Sequence, residues 1–342
     1  MTTARHITAV DIGGTHVRFA PAELRAGERP RLGEPVVLRT AEFAGLTSAW
    51  QSYLRQDLAR VEEHSAEAVS VCFAGPVRGQ TLKATNSHWL IQRDRVAEEL
   101  GVKQVHLMND FGAMAYGVSQ LSGDELEPIC GPTDGPALDP LADGVTTVIG
   151  PGTGLGVAIL IRRQGRVMVL ETEGGHIDFA PLDEMESAIV KQLREQFLRV
   201  SVERIVSGPG LNHLAHAIAR IERRTIQPLD DPELWAQALD PEAEDDLPAL
   251  ALQRFCRAYG AVAGDLALAH GASRVVLVGG LSNRLAETLR QAPFFRQFCA
   301  KGRYQADMAK IPVLVASHDQ LGLLGAAAGF AAEADLAESS SS

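Results

Sequence analysis

Two stretches of this chain share one pattern. "VDIGGTHV" (residues 10–17) and "VIGPGTGLGV" (residues 148–157) each pass from an apolar run through a glycine-threonine turn into a second apolar run. Setting Gly14-Thr15 on Gly152-Thr153 also aligns Val10 with Val148 and Val17 with Leu155. A repeated strand-turn-strand unit in a chain of 342 residues predicts a duplicated fold, because that length exceeds what one core usually organises. The expectation is an α/β chain with two similar domains facing each other across a cleft.

The remaining segments supply the other layers. Leu46, Trp50, Tyr53, Leu54, Leu58 and Val61 share one helical face. "AEAVSVCFAGPV" reads as a buried strand stopped by Gly75-Pro76, and "VHLMND" as another. From Ile129 to Gly144 the Pro, Gly and Asp content predicts a linker or surface loop. "ESAIVKQLREQF" and "LQRFCRAYGAVAGDLALAH" have helical patterns, "RVVLVGGLSNRL" is strand, glycine turn and helix, and "IPVLVAS" is a late strand. "LGLLGAAAGFAAEA" is a small-residue helix suited to close packing. Between Thr225 and Leu247 the acidic, proline-bearing sequence predicts a solvated excursion, and the tail "AESSSS" reads as low-complexity and disordered.

A formal charge of −11 argues against a nucleic-acid partner, which needs a clustered basic face, but leaves room for a small phosphorylated ligand held by backbone amides. No run approaches the roughly 18–20 apolar residues of a membrane span. The start "MTTARHITAV" lacks the apolar core of a signal peptide, so the expected location is the cytoplasm. Cys72, Cys130, Cys256 and Cys299 are isolated, with no CxxC and no histidine at zinc spacing, and read as reduced thiols.

The chemistry-bearing residues cluster at the glycine turns. In "DIGGT", successive amides and the Thr15 hydroxyl can point at phosphate oxygens, and Asp11 can orient a water on Mg²⁺; an ordinary hairpin turn is the competing reading. It is neither a Rossmann fingerprint nor a Walker A loop. "GPGTGLG" carries more glycine than a reversal requires, and it places Ile149 opposite Asp11, so the acid stands on one side only. "ETEGGH" offers Glu173 and His176 across a Gly-Gly pair, as a clamp for sugar hydroxyls or part of a metal site short of a third ligand. Glu203 precedes another Gly-Pro-Gly turn. In "VHLMNDFGAMAYG", Asp110 stands where a helix beginning near Phe111 would take its N-cap, or where a strand would deliver a catalytic carboxylate; both readings are open.

"VDIGGTHVRFA", "LMNDFGAMAYG", "VIGPGTGLGVAIL", "EGGHIDFAP", "ERIVSGPGL", "GRYQADMAKIPV" and "HDQLGLLGAAAG", in this order from about Val10 to Phe330, resemble the bacterial glucokinase family of the wider hexokinase and actin superfamily. The resemblance implies two ribonuclease-H-like, actin-like ATPase domains with mixed sheets flanked by helices and an active-site cleft between them. Residues 1–120 plus 317–342 would form a small N-terminal α/β domain completed by the C-terminal helix, and residues 121–316 a large α/β domain. The implied activity is ATP-dependent, Mg²⁺-assisted phosphorylation of D-glucose to glucose 6-phosphate, the first step of glycolysis, in a cytoplasmic homodimer.

Carried onto this chain, the resemblance makes Asp110 the catalytic base and Asn109 a holder of sugar hydroxyls. Glu173, His176 and Glu203 become glucose contacts, with Asn86 and Gly75 lining the same pocket. The phosphate loops correspond to Asp11, Gly13, Gly14 and Thr15 and to Gly152, Thr153 and Gly154, and Gly279 and Gly280 form the adenosine turn. Asp11 would reach the metal indirectly, through water. The family often carries Asn where His16 stands, and the cysteine-rich zinc motif of the related kinase and repressor group is absent. The alternatives are a kinase for mannose or fructose, or a nonenzymatic sugar-sensing regulator on the same fold. The regulator would lack the base or carry a DNA-binding segment, and Asp110 speaks against it.

Overall fold

The hairpin that the first repeat predicts consists of β1 (Arg5–Ile12) and β2 (His16–Leu24), antiparallel with Arg5 opposite Leu24 and Ile12 opposite Val17. β1 is apolar on both sides because the sheet is covered on both. Val10 and Ile12 enter one core layer, and Ile7 and Ala9 the other. The short strands β3 (Arg31–Leu32) and β4 (Val36–Arg39) pair with β2. Helix α1 (Leu46–Asp57) buries Leu46, Trp50 and Tyr53 as its spacing predicts, and Phe19 stacks on Tyr53 with ring centroids 5.0 Å apart. This computed structural model describes residues 4–57, 67–85, 87–226, 228–291 and 293–339, so Leu58 and Val61 lie outside the described residues.

β5 (Ala68–Phe73) runs parallel to β1, a two-stranded ribbon of β6 (Thr81–Lys83) and β7 (Leu90–Gln92) follows, and α2 (Val96–Leu100) leads into β8 (Gln104–Asn109), parallel to β5. Helix α3 spans Asp110–Val118.

The second half repeats this order after one added edge strand, β9 (Leu126–Cys130). β10 (Gly144–Pro151) and β11 (Leu155–Arg163) form the second hairpin, and β12 (Arg166–Thr172) follows. The helices are α4 (Glu184–Gln196), α5 (Gly210–Glu222), α6 (Asp231–Leu239) and α7 (Leu247–His270). β13 (Arg274–Leu277), α8 (Gly280–Gln291), α9 (Phe294–Cys299), α10 (Gln305–Met308), β14 (Val313–Ala316) and α11 (Leu321–Ser339) complete the chain. The sheet orders are β3-β2-β1-β5-β8, with β4 also on β2, and β12-β11-β10-β13-β14-β9. Each has a hairpin followed by two parallel strands, so the expected α/β duplication is what the chain folds into.

Contacts divide the chain into a first unit, Met1–Leu121 with Val167–Glu171 and His318–Ser342, and a second, Ser122–Arg166 with Thr172–Ser317. In the first, Leu323, Ala327 and Phe330 of α11 cover one face of the sheet beside Ala113 of α3. These two helices touch backbone to backbone: a Cβ added to Gly325 would lie 1.7 Å from the Ala113 carbonyl oxygen. In the second, Phe255 and Tyr259 of α7 pack edge-on against Trp235 and Phe294.

Three sequence expectations are corrected. Residues 225–247 are not a solvated excursion, since α6 lies there with Leu234 and Trp235 buried. The linker from Ile129 to Gly144 begins inside β9 rather than in a loop. The tail is helical through Ser339; the last three residues lie outside the described set.

Candidate functional site

In the first unit the ladder aligns Asp11 with Cys72, Cys72 with Met108, and Phe73 with Asn109. The carboxyl ends of three parallel strands therefore lie along one edge, the place where open α/β sheets present ligand-binding groups. Asp11 is half-buried there, with Arg18 Nη1 donating to its Oδ2 at 3.2 Å and Cys72 Sγ 3.7 Å from its Oδ1. A Cβ on Gly322, in the first turn of α11, would come within 3.1 Å of the same carboxylate. Burial pushes the Asp11 carboxyl above its ordinary pKa, and the Arg18 guanidinium opposes that rise. Burial pushes the Cys72 thiol well up, with the charges of Asp11 and Asp110 adding to it, so both carboxylates act on one thiol.

The turn beyond Asp11 is held at its base and open at its tip. Gly13 N–H donates to the His16 carbonyl (2.9 Å), and Thr40 donates through its N–H to Thr15 O (3.0 Å) and through Oγ1 to Gly13 O (3.1 Å). Gly14 and Thr15 are exposed.

At the end of β8 the helix begins at Asp110, one residue earlier than the sequence suggests, and the cap is Asn109. Asn109 Oδ1 accepts from the N–H groups of Phe111 (2.8 Å) and Gly112 (3.3 Å), while its Nδ2 donates to Gly75 O (3.1 Å). The N-cap role thus belongs to Asn109 and does not account for Asp110, whose Oδ1 also accepts from Phe111 N–H at 2.9 Å. The Asn109 N–H is itself held by Glu171 Oε1 at 2.8 Å, from a residue that the sequence did not single out.

In the second unit the segments that carry Gly152 to Gly154, Glu173, His176 and Glu203 are joined by hydrogen bonds. The turn Gly152–Gly154 closes through Gly152 N–H to Gly154 O (2.8 Å), and Gly208 N–H donates to Gly152 O (2.7 Å). Glu203 Oε2 accepts the Leu155 N–H at 3.0 Å, and a Cβ on Gly154 would collide with that oxygen at 2.3 Å. Glu173 and His176 flank a tight turn with His176 N–H on Glu173 O (3.0 Å), their side chains 3.9 Å apart and exposed. That turn rests on β11, where a Cβ on Gly175 would meet Leu155 O at 2.1 Å. Val202 N–H donates to Ile177 O (2.9 Å), which ties the Glu203 segment to the His176 segment. Gly279, at φ +89°, and Gly280 stand where β13 enters α8, and the nearest atom to a Cβ on Gly279 would be Pro151 O, 3.9 Å away. Asn86 lies outside the described residues.

Among the described residues no three His, Cys, Asp or Glu side chains gather as direct metal ligands. A single carboxylate beside a phosphate-type turn suits Mg²⁺, which keeps several waters and takes one or two carboxylates plus substrate phosphates. Each Asp11 oxygen has lone pairs beyond those facing Arg18 and Cys72, so the donor set is compatible with a water-mediated ion. No helix among the described residues is long and apolar enough to cross a membrane.

A family model for glucokinase matches residues 8–333. The chain is 48% identical to the glucokinase of Zymomonas mobilis subsp. mobilis over 328 residues, which cover 95% of this chain and 97% of that one. Among solved structures, a glucokinase from an Antarctic psychrotroph superposes with a TM-score of 0.80 at 29% identity, covering 96% of this chain and 99% of the other. The fold is shared further with a glucokinase from Balamuthia mandrillaris solved with glucose, at a TM-score of 0.74 and 21% identity over 94% and 92% of the two chains.

Proposed function

The chain belongs to the glucokinase family, whose reaction is ATP-dependent phosphorylation of D-glucose, and from that premise we propose that Asp110 accepts the proton of the glucose 6-hydroxyl as it attacks the γ-phosphorus. Attack is in line, and the transition state is loose, so most of the acceleration comes from alignment and from neutralising phosphate charge. A carboxylate suits the first task because it both orients the hydroxyl and takes its proton as the new P–O bond forms and the bond from the γ-phosphorus to the β,γ-bridging oxygen breaks, with ADP as the leaving group.

The observation that carries this reading is the junction of β8 and α3. Asn109 supplies the cap, and Asp110, whose Oδ1 accepts from the Phe111 N–H, stands beside it at the edge that also holds Asp11. Asn109 keeps one Nδ2 proton beyond its bond to Gly75, enough to donate to a sugar hydroxyl. Glu173, His176 and Glu203 hold the other hydroxyls, and Gly75 and Asn86 line the sugar pocket. Gly13, Gly14, Thr15 and Gly152, Thr153, Gly154 present amides and hydroxyls to the phosphates, and Gly279 and Gly280 let the adenosine approach the backbone. Bound beside Asp11 through water, Mg²⁺ would neutralise charge on the β- and γ-phosphates. The working form we propose is a cytoplasmic homodimer.

The test is a coupled assay over a panel of hexoses and phosphoryl donors, with Asp110→Asn alongside the wild type. Glucose with ATP is expected to give the highest kcat/KM. Asp110→Asn is expected to keep glucose affinity within several-fold while turnover falls about 10²- to 10⁴-fold. Turnover within a factor of ten of wild type rejects Asp110 as the base.

A further inference from the structure

A helix whose N-cap is Asn, Asp, Ser or Thr often closes a reciprocal box. The cap side chain accepts from the first-turn amides, and a Glu or Gln at N3 reaches back to the cap residue's own N–H. α6 does this with Asp230 and Glu233 from one continuous segment. α3 has the first half, through Asn109 Oδ1, but its N3 residue is Gly112 and has no side chain to return the bond. The returning carboxylate comes instead from Glu171, whose Oε1 takes the Asn109 N–H at 2.8 Å. It occupies the space that an N3 side chain would fill: a Cβ on Gly112 would lie 2.5 Å from Oε1 and 2.9 Å from Cγ of Glu171.

We infer that Glu171 is a positioning residue for phosphoryl transfer, completing the capping box of α3 from a distant segment and so fixing the residue that precedes Asp110. The inference rests on the role proposed above for Asp110. Asn109 is gripped at three points, its N–H by Glu171, its Oδ1 by Phe111 and Gly112, and its Nδ2 by Gly75. Asp110 is the first residue of the helix that this grip orients. Releasing the Glu171 bond lets the first turn shift, and a displacement near 1 Å at a reacting group costs up to about 10²-fold in rate. Glu171 stands two residues before Glu173, so one short stretch carries both a proposed sugar contact and the group that sets the base.

Two substitutions separate reach from charge. Glu171→Gln keeps the length and an acceptor oxygen but removes the charge, whereas Glu171→Asp keeps the charge and withdraws the oxygen by one methylene. Glu171 is exposed, so both chains are expected to fold, with equal melting midpoints as the check. The expected result is kcat within threefold of wild type for Glu171→Gln and about tenfold lower for Glu171→Asp, with KM for glucose within threefold in both. Hydrogen exchange at the Asn109 amide is expected to quicken about tenfold in Glu171→Asp alone. Equal kcat in all three chains, or loss in Glu171→Gln with retention in Glu171→Asp, overturns the inference. If wild type makes no sugar phosphate, or Asp110→Asn retains turnover, the reading of Asp110 fails instead, and the exchange rates still decide whether Glu171 holds Asn109.

Discussion

In the first unit the strand that enters the glycine turn carries Asp11; at the aligned position of the second stands Ile149, fully buried and apolar. The turns differ in length as well. Four residues, Gly13 to His16, separate the closing pair Ile12 and Val17, whereas three, Gly152 to Gly154, separate Pro151 and Leu155. The second turn has a carboxylate too, but it arrives from elsewhere: Glu203 reaches across to hold the Leu155 N–H. Duplication has kept the hairpin and the order of its parallel neighbours, and moved the charge. A carboxylate within the strand stays beside the turn, while one brought in from a separate segment also fastens it.

Of the two turns, the first yields the larger expected effect. Asp11→Asn should lower kcat/KM for Mg²⁺-ATP about 10- to 100-fold, the usual loss when a group orienting a metal's shell is removed, with KM for glucose little changed. Steady-state kinetics over a series of ATP concentrations measures it, and an unchanged value erases the distinction between Asp11 and Ile149. The next effect belongs to the second turn. Gly154→Ala forces Glu203 off its bond, since the added carbon would stand 2.3 Å from Oε2, and should raise KM for glucose about tenfold. Gly13→Ala meets only the His16 carbonyl at 3.1 Å and should change KM for glucose less than Gly154→Ala does.

The smallest effect runs the other way. Burial raises the Asp11 carboxyl above its ordinary pKa, so between the two values the native chain holds a proton that the unfolded chain releases. Stability therefore falls as pH rises through that window, and at neutral pH the ionised side chain is a net cost. Asp11→Asn should melt about 1–3 °C higher than wild type at pH 7, a gain visible by calorimetry and opposed to the loss in activity. A lower melting point would mean that the Arg18 pair outweighs the burial.

How far the sequence reveals this depends on whether a feature is local. The two hairpins, β5, β8, α4 and α7 announce themselves through alternation, helical spacing and glycine punctuation, all local signals. α6 carried a readable one that its acidity masked: Asp230, Pro232 and Glu233 are cap, early-turn proline and N3 acid in order. Asn109 and Asp110 are adjacent capping types, and spacing alone does not tell which of them caps. Glu171 leaves the faintest trace, because a side chain bonding a backbone amide from 62 residues away imposes no periodicity. Its only echo is Gly112, a glycine where a capping box expects Glu or Gln.

The last helix belongs to the first unit, and that has a consequence in time. As the chain leaves the ribosome, the sheet of residues 5–109 is made early, yet the helix that covers Ile7, Ala9, Ala22 and Met108 starts only at Leu321. At about 5–20 residues per second, the roughly 200 residues between α3 and α11 occupy the ribosome for about 10–40 s. Throughout that interval the part of this apolar face that α11 covers waits open, in reach of chaperones, while the whole of the second unit is synthesised. The first unit is begun before the second and closes after it.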